Sequence, residues 1–253
     1  NNVVDKFQTN ENGIGSSKKL PLGIYTVKEV QAPANYGLNP TVFTADIEFA
    51  GQVVKLNVTD PVITAGVSIK KTGYAQTMNN NIMRWTVSGV RNDSTTSLQS
   101  FYWRDTLPTN AVRLTRLVTG TYSTTQTYKV TFTTNLNSQW RTAYDNLSTA
   151  KNYTLDMSSA ALGLASNEYV TQFMLSFGIV PAGFHQLTNA TVDAQTLYAL
   201  TNGYKFTNKA DVGGLLGGNW VQSIARWTTS IYSHYVPAKP AAPKSPTLPR
   251  TGY

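Results

Sequence analysis

Two histidines, His185 and His234, are the side chains best suited to proton transfer near neutral pH, but each stands alone. Neither has the His/Cys/Asp/Glu spacing that holds a metal, so no metal ligands and no cofactor are expected. No Gly-x-Ser-x-Gly nucleophile elbow or phosphate-cradling P-loop occurs. The run Gly213-Gly214-Leu215-Leu216-Gly217-Gly218 reads as a flexible hairpin connection, not a phosphate cradle. Thirteen acidic residues could include a glycosidase pair, but no local pattern nominates one. An enzyme acting on a separate substrate is therefore not expected.

The elements that would carry any site are β-strands. The 253 residues are 41% hydrophobic but only 13% charged, with Thr, Ser and Asn filling the polar positions. In the first segment, alternation predicts strands at 24–30, 42–49 and 53–58, with a corner at Ala32-Pro33-Ala34-Asn35-Tyr36. In the second it predicts strands at 67–71, 83–90, 99–105, 113–118, 127–133, 169–179, 204–212 and 221–232. Residues 139–147 and 190–200 are predicted as short helices inserted in connections. Many strands without βαβ alternation imply an all-β chain of sandwiches. The predicted organisation is a small β domain over 1–62, a larger β-sandwich over 63–235, and an extended Pro/Lys-rich tail over 236–253.

The net charge of +8 is scattered and does not interleave with aromatics, so no nucleic-acid groove is expected; attraction to an anionic wall polymer suits it better. There is no cysteine, so a secreted chain of this kind needs another source of covalent restraint or none. No apolar run approaches a membrane span.

The tail carries Pro237, Pro240, Pro243, Pro246 and Pro249 with Lys239 and Lys244, a polyproline-like spacer. It leads to Leu248-Pro249-Arg250-Thr251-Gly252, which matches the Leu-Pro-any-Thr-Gly signal read by sortase transpeptidases. In that resemblance Leu248 fills an apolar pocket, Pro249 bends the segment, and Thr251 presents the carbonyl attacked by the enzyme thiol. Gly252 then leaves, and the chain passes to an amine of peptidoglycan. The implied setting is the wall of a Gram-positive bacterium, with sortase and peptidoglycan as partners. Such substrates continue into a hydrophobic segment and a basic tail, expected here beyond Tyr253; membrane contact would run only through that segment.

The stretch Leu20-Pro21-Leu22-Gly23-Ile24-Tyr25 through Glu29 to Ala32-Pro33-Ala34-Asn35-Tyr36 resembles collagen-adhesin B-type, prealbumin-like domains. The resemblance implies that Glu29 takes the place of a catalytic acid for an intramolecular isopeptide bond and Asp60 that of the acceptor. The donor lysine is expected in a strand upstream of Asn1, Lys6 being the only early candidate. No bond is therefore expected in this domain, and Glu29 is expected to be idle.

The larger segment is similar, more loosely, to A-type immunoglobulin-like domains of bacterial adhesins. The matching pieces are Val67-Ser68-Ile69-Lys70-Lys71-Thr72, Trp103-Arg104-Asp105-Thr106-Leu107-Pro108 and Tyr204-Lys205-Phe206-Thr207-Asn208-Lys209-Ala210. In the resembled domains these pieces supply a lysine, an acid and an asparagine that form an isopeptide bond. Strand parity permits Lys71, Asp105 and Asn208 to share the inward faces with Ile69, Trp103 and Phe206. Lys70 replaces Lys71 if a bulge shifts the register. The plainer alternative makes Lys71 a solvent-facing strand residue, Asp105 a turn acid and Asn208 an edge hydrogen-bonder. Two functions follow as expectations. One is a structural stalk or minor pilin that cross-links itself. The other is an adhesin that binds a host glycan or matrix protein through loops 134–168 and 184–202, using Trp140, Tyr144 and Tyr153.

Overall fold

Alternating apolar and polar residues become strands where a neighbouring strand accepts their backbone N–H and C=O groups. The computed structural model describes residues 2–33, 36–78 and 83–232. The chain divides into two compact units, Asn1–Thr64 and Ala65–Tyr253.

The smaller unit is built on one hairpin, β1 (Gly23–Lys28) antiparallel to β2 (Val42–Ile47). Tyr25 and Val27 share a half-buried face with their partners Ala45 and Phe43. The strand predicted over 42–49 stops at Ile47 because the N–H groups of Glu48 and Phe49 turn to the Gln52 Oε1, at 2.6 and 3.3 Å. The strand predicted over 53–58 does not form. Among the described residues no ladder partner flanks it, and Val53 is 78% exposed. The return of the chain is pinned instead by single bonds, Gly37 N–H to the Pro61 carbonyl at 2.7 Å and a Tyr36–Val62 bridge. No described residue of this unit is fully buried.

The larger unit contains β3 (Val67–Gly73), β4 (Gln76–Met78), β5 (Met83–Asn92), β6 (Leu98–Thr106), β7 (Val112–Val118), β8 (Thr121–Tyr122), β9 (Thr127–Thr134) and β10 (Arg141–Ser148). It continues with β11 (Thr154–Asp156), β12 (Val170–Val180), β13 (Gln186–Thr188), β14 (Ala190–Thr196), β15 (Lys205–Leu216) and β16 (Asn219–Tyr232). One sheet has seven strands in the order β10-β9-β12-β6-β15-β16-β4; the other has five, β11-β7-β14-β5-β3, and β8 pairs with β13 separately. All pairings are antiparallel except β16 with β4. The chain is thus all-β as its alternation predicts, and the larger unit is a β-sandwich. Trp85, Val87, Leu117 and Val192 from the five-stranded sheet and Trp103, Val130, Phe173 and Val212 from the seven-stranded sheet are at most 1% exposed. Trp103 Nε1 donates to the Tyr122 hydroxyl at 2.8 Å, which donates to the Thr119 carbonyl at 3.0 Å. Trp103 and Tyr122 are thereby satisfied, whereas Trp85 Nε1 and the Tyr128 hydroxyl are buried without a partner.

The two predicted helices are both strands, and the described residues contain no helix. Residues 190–196 form β14, held on both sides by β5 and β7, so their backbone is committed to two ladders. Residues 141–148 form β10, whose pairing with β9 slips twice, between Thr142 and Tyr144 and between Tyr144 and Leu147. Those bulges break the two-residue period and leave a pattern that mimics helical spacing. The glycine run is only partly a connection. Gly213 and Gly214 lie inside β15, and the turn is the two residues Gly217-Gly218 at φ 54° and 87°, as a tight hairpin requires.

Candidate functional site

β3 is the edge of the five-stranded sheet and packs across the sandwich against β15 and β16. Its alternation turns Ile69 and Lys71 inward and leaves Lys70 and Thr72 exposed. A register irregularity does occur between Ser68 and Lys70, yet the lysine it delivers to the core is Lys71. Asp105 lies on β6 between Phe173 of β12 and Ala210 of β15, on the same face as Phe101 and Trp103. Asn208 lies on β15 opposite Trp227, on the face that carries Phe206.

These three residues are inside. The side chains of Lys71 and Asp105 are fully buried, and Lys71 Nζ donates to Asp105 Oδ2. Asn208 is also fully buried, and it lies close enough to Asp105 to help hold the carboxylate form. Nevertheless neither atom of the Asn208 carboxamide makes a well-formed hydrogen bond, nor does Asp105 Oδ1. The wall is aromatic: the Trp85 ring lies 5.8 Å from Lys71 Nζ and meets Phe206 edge-on at 6.3 Å.

Burial governs both ionisable groups. It pushes the Lys71 amine below its ordinary range, with the Asp105 charge opposing. It pushes the Asp105 carboxyl up, with Lys71 and then Asn208 opposing. The neutral amine and the protonated acid are thereby favoured together, beside a carboxamide with unused hydrogen-bonding capacity. A buried polar group left unpaired costs about 1–3 kcal/mol, so an orphaned carboxamide at the centre of a tight core calls for an explanation.

The acids of the small unit are arranged differently. Glu29 is half-buried and its Oε2 accepts the Asn39 N–H at 2.6 Å. Asn39 Nδ2 in turn donates to the Thr59 carbonyl at 2.8 Å, so Asn39 ties Glu29 to the chain just before Asp60. Asp60 is half-buried with Oδ1 unpaired, and Lys6 is exposed. Asn39 was not nominated from sequence; its place before Pro40 is the only local hint of a turn role.

Trp140 is 40% exposed, but Tyr144 and Tyr153 are not free platforms. The Tyr144 hydroxyl donates to the Asp156 carbonyl at 2.9 Å, and the Tyr153 hydroxyl accepts the Ser148 N–H at 3.1 Å. The predicted loops around them contain strands β10, β11, β13 and β14. His185 bonds through Nδ1 to the Gly183 carbonyl at 2.8 Å. His234 and the signal Leu248, Pro249, Arg250, Thr251 and Gly252 lie outside the described residues. Sequence reasoning also missed two buried acids. Asp193 bonds Arg84 and Arg116 across adjacent strands, and Asp211 bonds Arg104.

Residues 1–62 match the family model described as SpaA: Prealbumin-like fold domain. A search of curated protein sequences finds no match. Among solved structures the chain is similar to the major pilin subunit BcpA of Bacillus cereus (12% identity, TM-score 0.34, covering 91% of this chain and 60% of that one). It is also similar to the full-length major pilin SpaD of Corynebacterium diphtheriae (17%, TM-score 0.37, covering 88% and 51%). A third similarity is to a structure of manganese lipoxygenase of Gaeumannomyces graminis with partial zonadhesin of Komagataella pastoris (11%, TM-score 0.26, covering 85% and 59%). This chain therefore spans between 51% and 60% of the length of these structures, and at such scores the likeness carries no argument. What the comparisons do show is a prealbumin-like domain of the SpaA kind at residues 1–62.

Proposed function

We propose that this chain is a structural segment of a Gram-positive wall-anchored surface protein, a stalk or pilin-like subunit whose larger unit locks itself with an amide bond between Lys71 and Asn208. The observation that carries the reading is the fully buried set of Lys71, Asp105 and Asn208, with the Asn208 carboxamide unpaired in an aromatic core. Neutral Lys71 Nζ attacks Asn208 Cγ while the Asp105 carboxyl, protonated through burial, polarises the carboxamide. Asp105 gives its proton to Nδ2 and recovers one from Nζ; the Nζ–Cγ bond forms, the Cγ–Nδ2 bond breaks, and ammonia leaves. Water is excluded, so the product amide is not hydrolysed. The turnover is single and internal, and no separate substrate is consumed.

The bond would join β3 at the start of the larger unit to β15 near its end, and one sheet to the other. A cysteine-free extracellular chain would thus gain the restraint a disulfide otherwise supplies. The SpaA-type domain over 1–62 and the sorting signal at 248–252 support a place in the cell wall, with sortase and peptidoglycan as partners. Glu29 and Asp60 are read as an unused copy of the same chemistry, since Glu29 is engaged by Asn39. Intact-mass measurement of the denatured full chain tests the bond. The expected mass is one ammonia below that of the sequence, with the full mass restored in Asp105→Ala. A wild-type chain at the full sequence mass overturns the proposal.

A further inference from the structure

The solvent side of the seven-stranded sheet is not the Thr/Ser-lined surface expected of an outward face. A shallow groove of about 720 Å³ crosses it, bounded by Trp140 just before β10 and by Trp220 at the start of β16. Trp220 is 62% exposed and Trp140 40%. Between them lie Tyr102 and Arg104 of β6, Lys129 of β9, and Asp145 of β10.

The groove is built rather than incidental. Tyr102 lies over β15 because position 213 is glycine; a Cβ there would sit 3.0 Å from the Tyr102 ring and hydroxyl. The Tyr102 ring meets Trp220 edge-on at 6.1 Å, and the Arg104 guanidinium sits 5.7 Å from its centre. Beneath them Asp211, fully buried, accepts Arg104 Nε and NH2 at 3.1 and 3.0 Å and Gln222 Nε2 at 3.1 Å. Gln222 Nε2 also donates to the Tyr102 hydroxyl at 3.2 Å. Tyr102, Arg104 and Gln222 are therefore held in place before any ligand arrives, which lowers the entropic cost of binding.

Charge decides the class of ligand. Arg104 is paired with Asp211, and the lining carries one further cation, Lys129, and one anion, Asp145, so the charges of the groove sum to zero and do not attract an anionic polymer or nucleic acid. The core of a protein–protein interface is depleted in charge, whereas the floor here carries several charged side chains. Exposed indole walls over a floor of fixed donors and acceptors suit a ligand with apolar C–H faces and hydroxyl edges. We propose that this groove binds a neutral linear oligosaccharide, with Trp140 and Trp220 against pyranose faces and Arg104, Lys129 and Asp145 bonding hydroxyls. The site is independent of the Lys71–Asn208 bond.

The full chain is applied to an array of neutral oligosaccharides of glucose, mannose, galactose and N-acetylglucosamine, alongside sulfated and sialylated glycans and matrix proteins. The best neutral hit is then titrated calorimetrically against wild type, Trp220→Ala, Trp140→Ala and Tyr144→Phe. The expected result is binding of a neutral glycan that weakens about tenfold or more in each tryptophan variant, while Tyr144→Phe binds as wild type. Unchanged thermal unfolding of Trp220→Ala, whose side chain is largely exposed, keeps loss of binding distinct from loss of fold. The proposal is overturned by no neutral binding at millimolar glycan, by binding only to anionic glycans or proteins, or by neutral binding indifferent to both tryptophans.

Discussion

Replacing Lys71 with methionine keeps the stem in the core and deletes the amine. If Lys71 is joined to Asn208, the bond closes a loop of roughly 140 residues, and the chain-entropy relation for cross-links assigns about 5 kcal/mol to that closure. The variant also strands Asp105, which is fully buried. Because burial raises its pKa, Asp105 takes up a proton instead of remaining as a naked charge, and the added cost is about 1–3 kcal/mol. Lys71→Met is therefore expected to lose about 6–8 kcal/mol, which for a unit of this size corresponds to a fall of about 15–30 °C in Tm. Differential scanning calorimetry of wild type and Lys71→Met measures it, with Asp105→Ala as a second unlinked chain. A fall of less than about 5 °C would refute the reasoning, since the closed loop could not then be contributing as argued.

Four further outcomes follow from particular contacts. Asp193 is only 3% exposed; burial pushes its carboxyl up, but hydrogen bonds from Arg84 and Arg116 outweigh this and bring it below the ordinary range. A lowered folded pKa contributes stability that is present above the unfolded value of about 3.9 and is lost as pH falls through the folded value. Asp193→Asn should cost about 1–3 kcal/mol at pH 7 and flatten that acid limb in urea titrations, the arginines being half-exposed. Trp103→Phe removes the hydrogen bond to Tyr122 in a site without solvent, and a loss of about 1–3 kcal/mol by chemical denaturation is expected. Gly218→Ala places a side chain at φ 87° in a two-residue hairpin and should destabilise by about 1 kcal/mol or more in the same assay. Glu29→Ala should leave the intact mass offset of the chain unchanged, because Glu29 belongs to the smaller unit, where it accepts the Asn39 N–H, and the proposed bond uses Asp105 as its acid.

The strands of the larger unit were legible because their alternation is strong and their partners are present. The inward parity of Ile69 and Lys71, of Trp103 and Asp105, and of Phe206 and Asn208 could be read before any strand order was known. What parity cannot supply is pairing. Asp211 beside Arg104 and Asp193 between Arg84 and Arg116 arise from register across neighbouring strands, which no local pattern encodes. The same blindness hid the groove: Tyr102 and Trp220 are far apart in sequence and meet because β15 brings β6 and β16 to its two sides. Bulges defeated the reading of residues 141–148, and the absence of a described neighbouring strand defeated that of residues 53–58. Tyr144 and Tyr153 looked like binding aromatics, but their hydroxyls are taken by backbone groups nearby.

Loss of ammonia alone has another source in this chain, because Asn12-Gly13 and Asn202-Gly203 can cyclise with the same loss. Tandem mass spectrometry of a protease digest separates the two directly. The account predicts one branched species in which the peptide containing Lys71 is joined through its side chain to the peptide containing Asn208, absent from Asp105→Ala. Recovery of both peptides unlinked from the folded wild-type chain, in full yield, would contradict it.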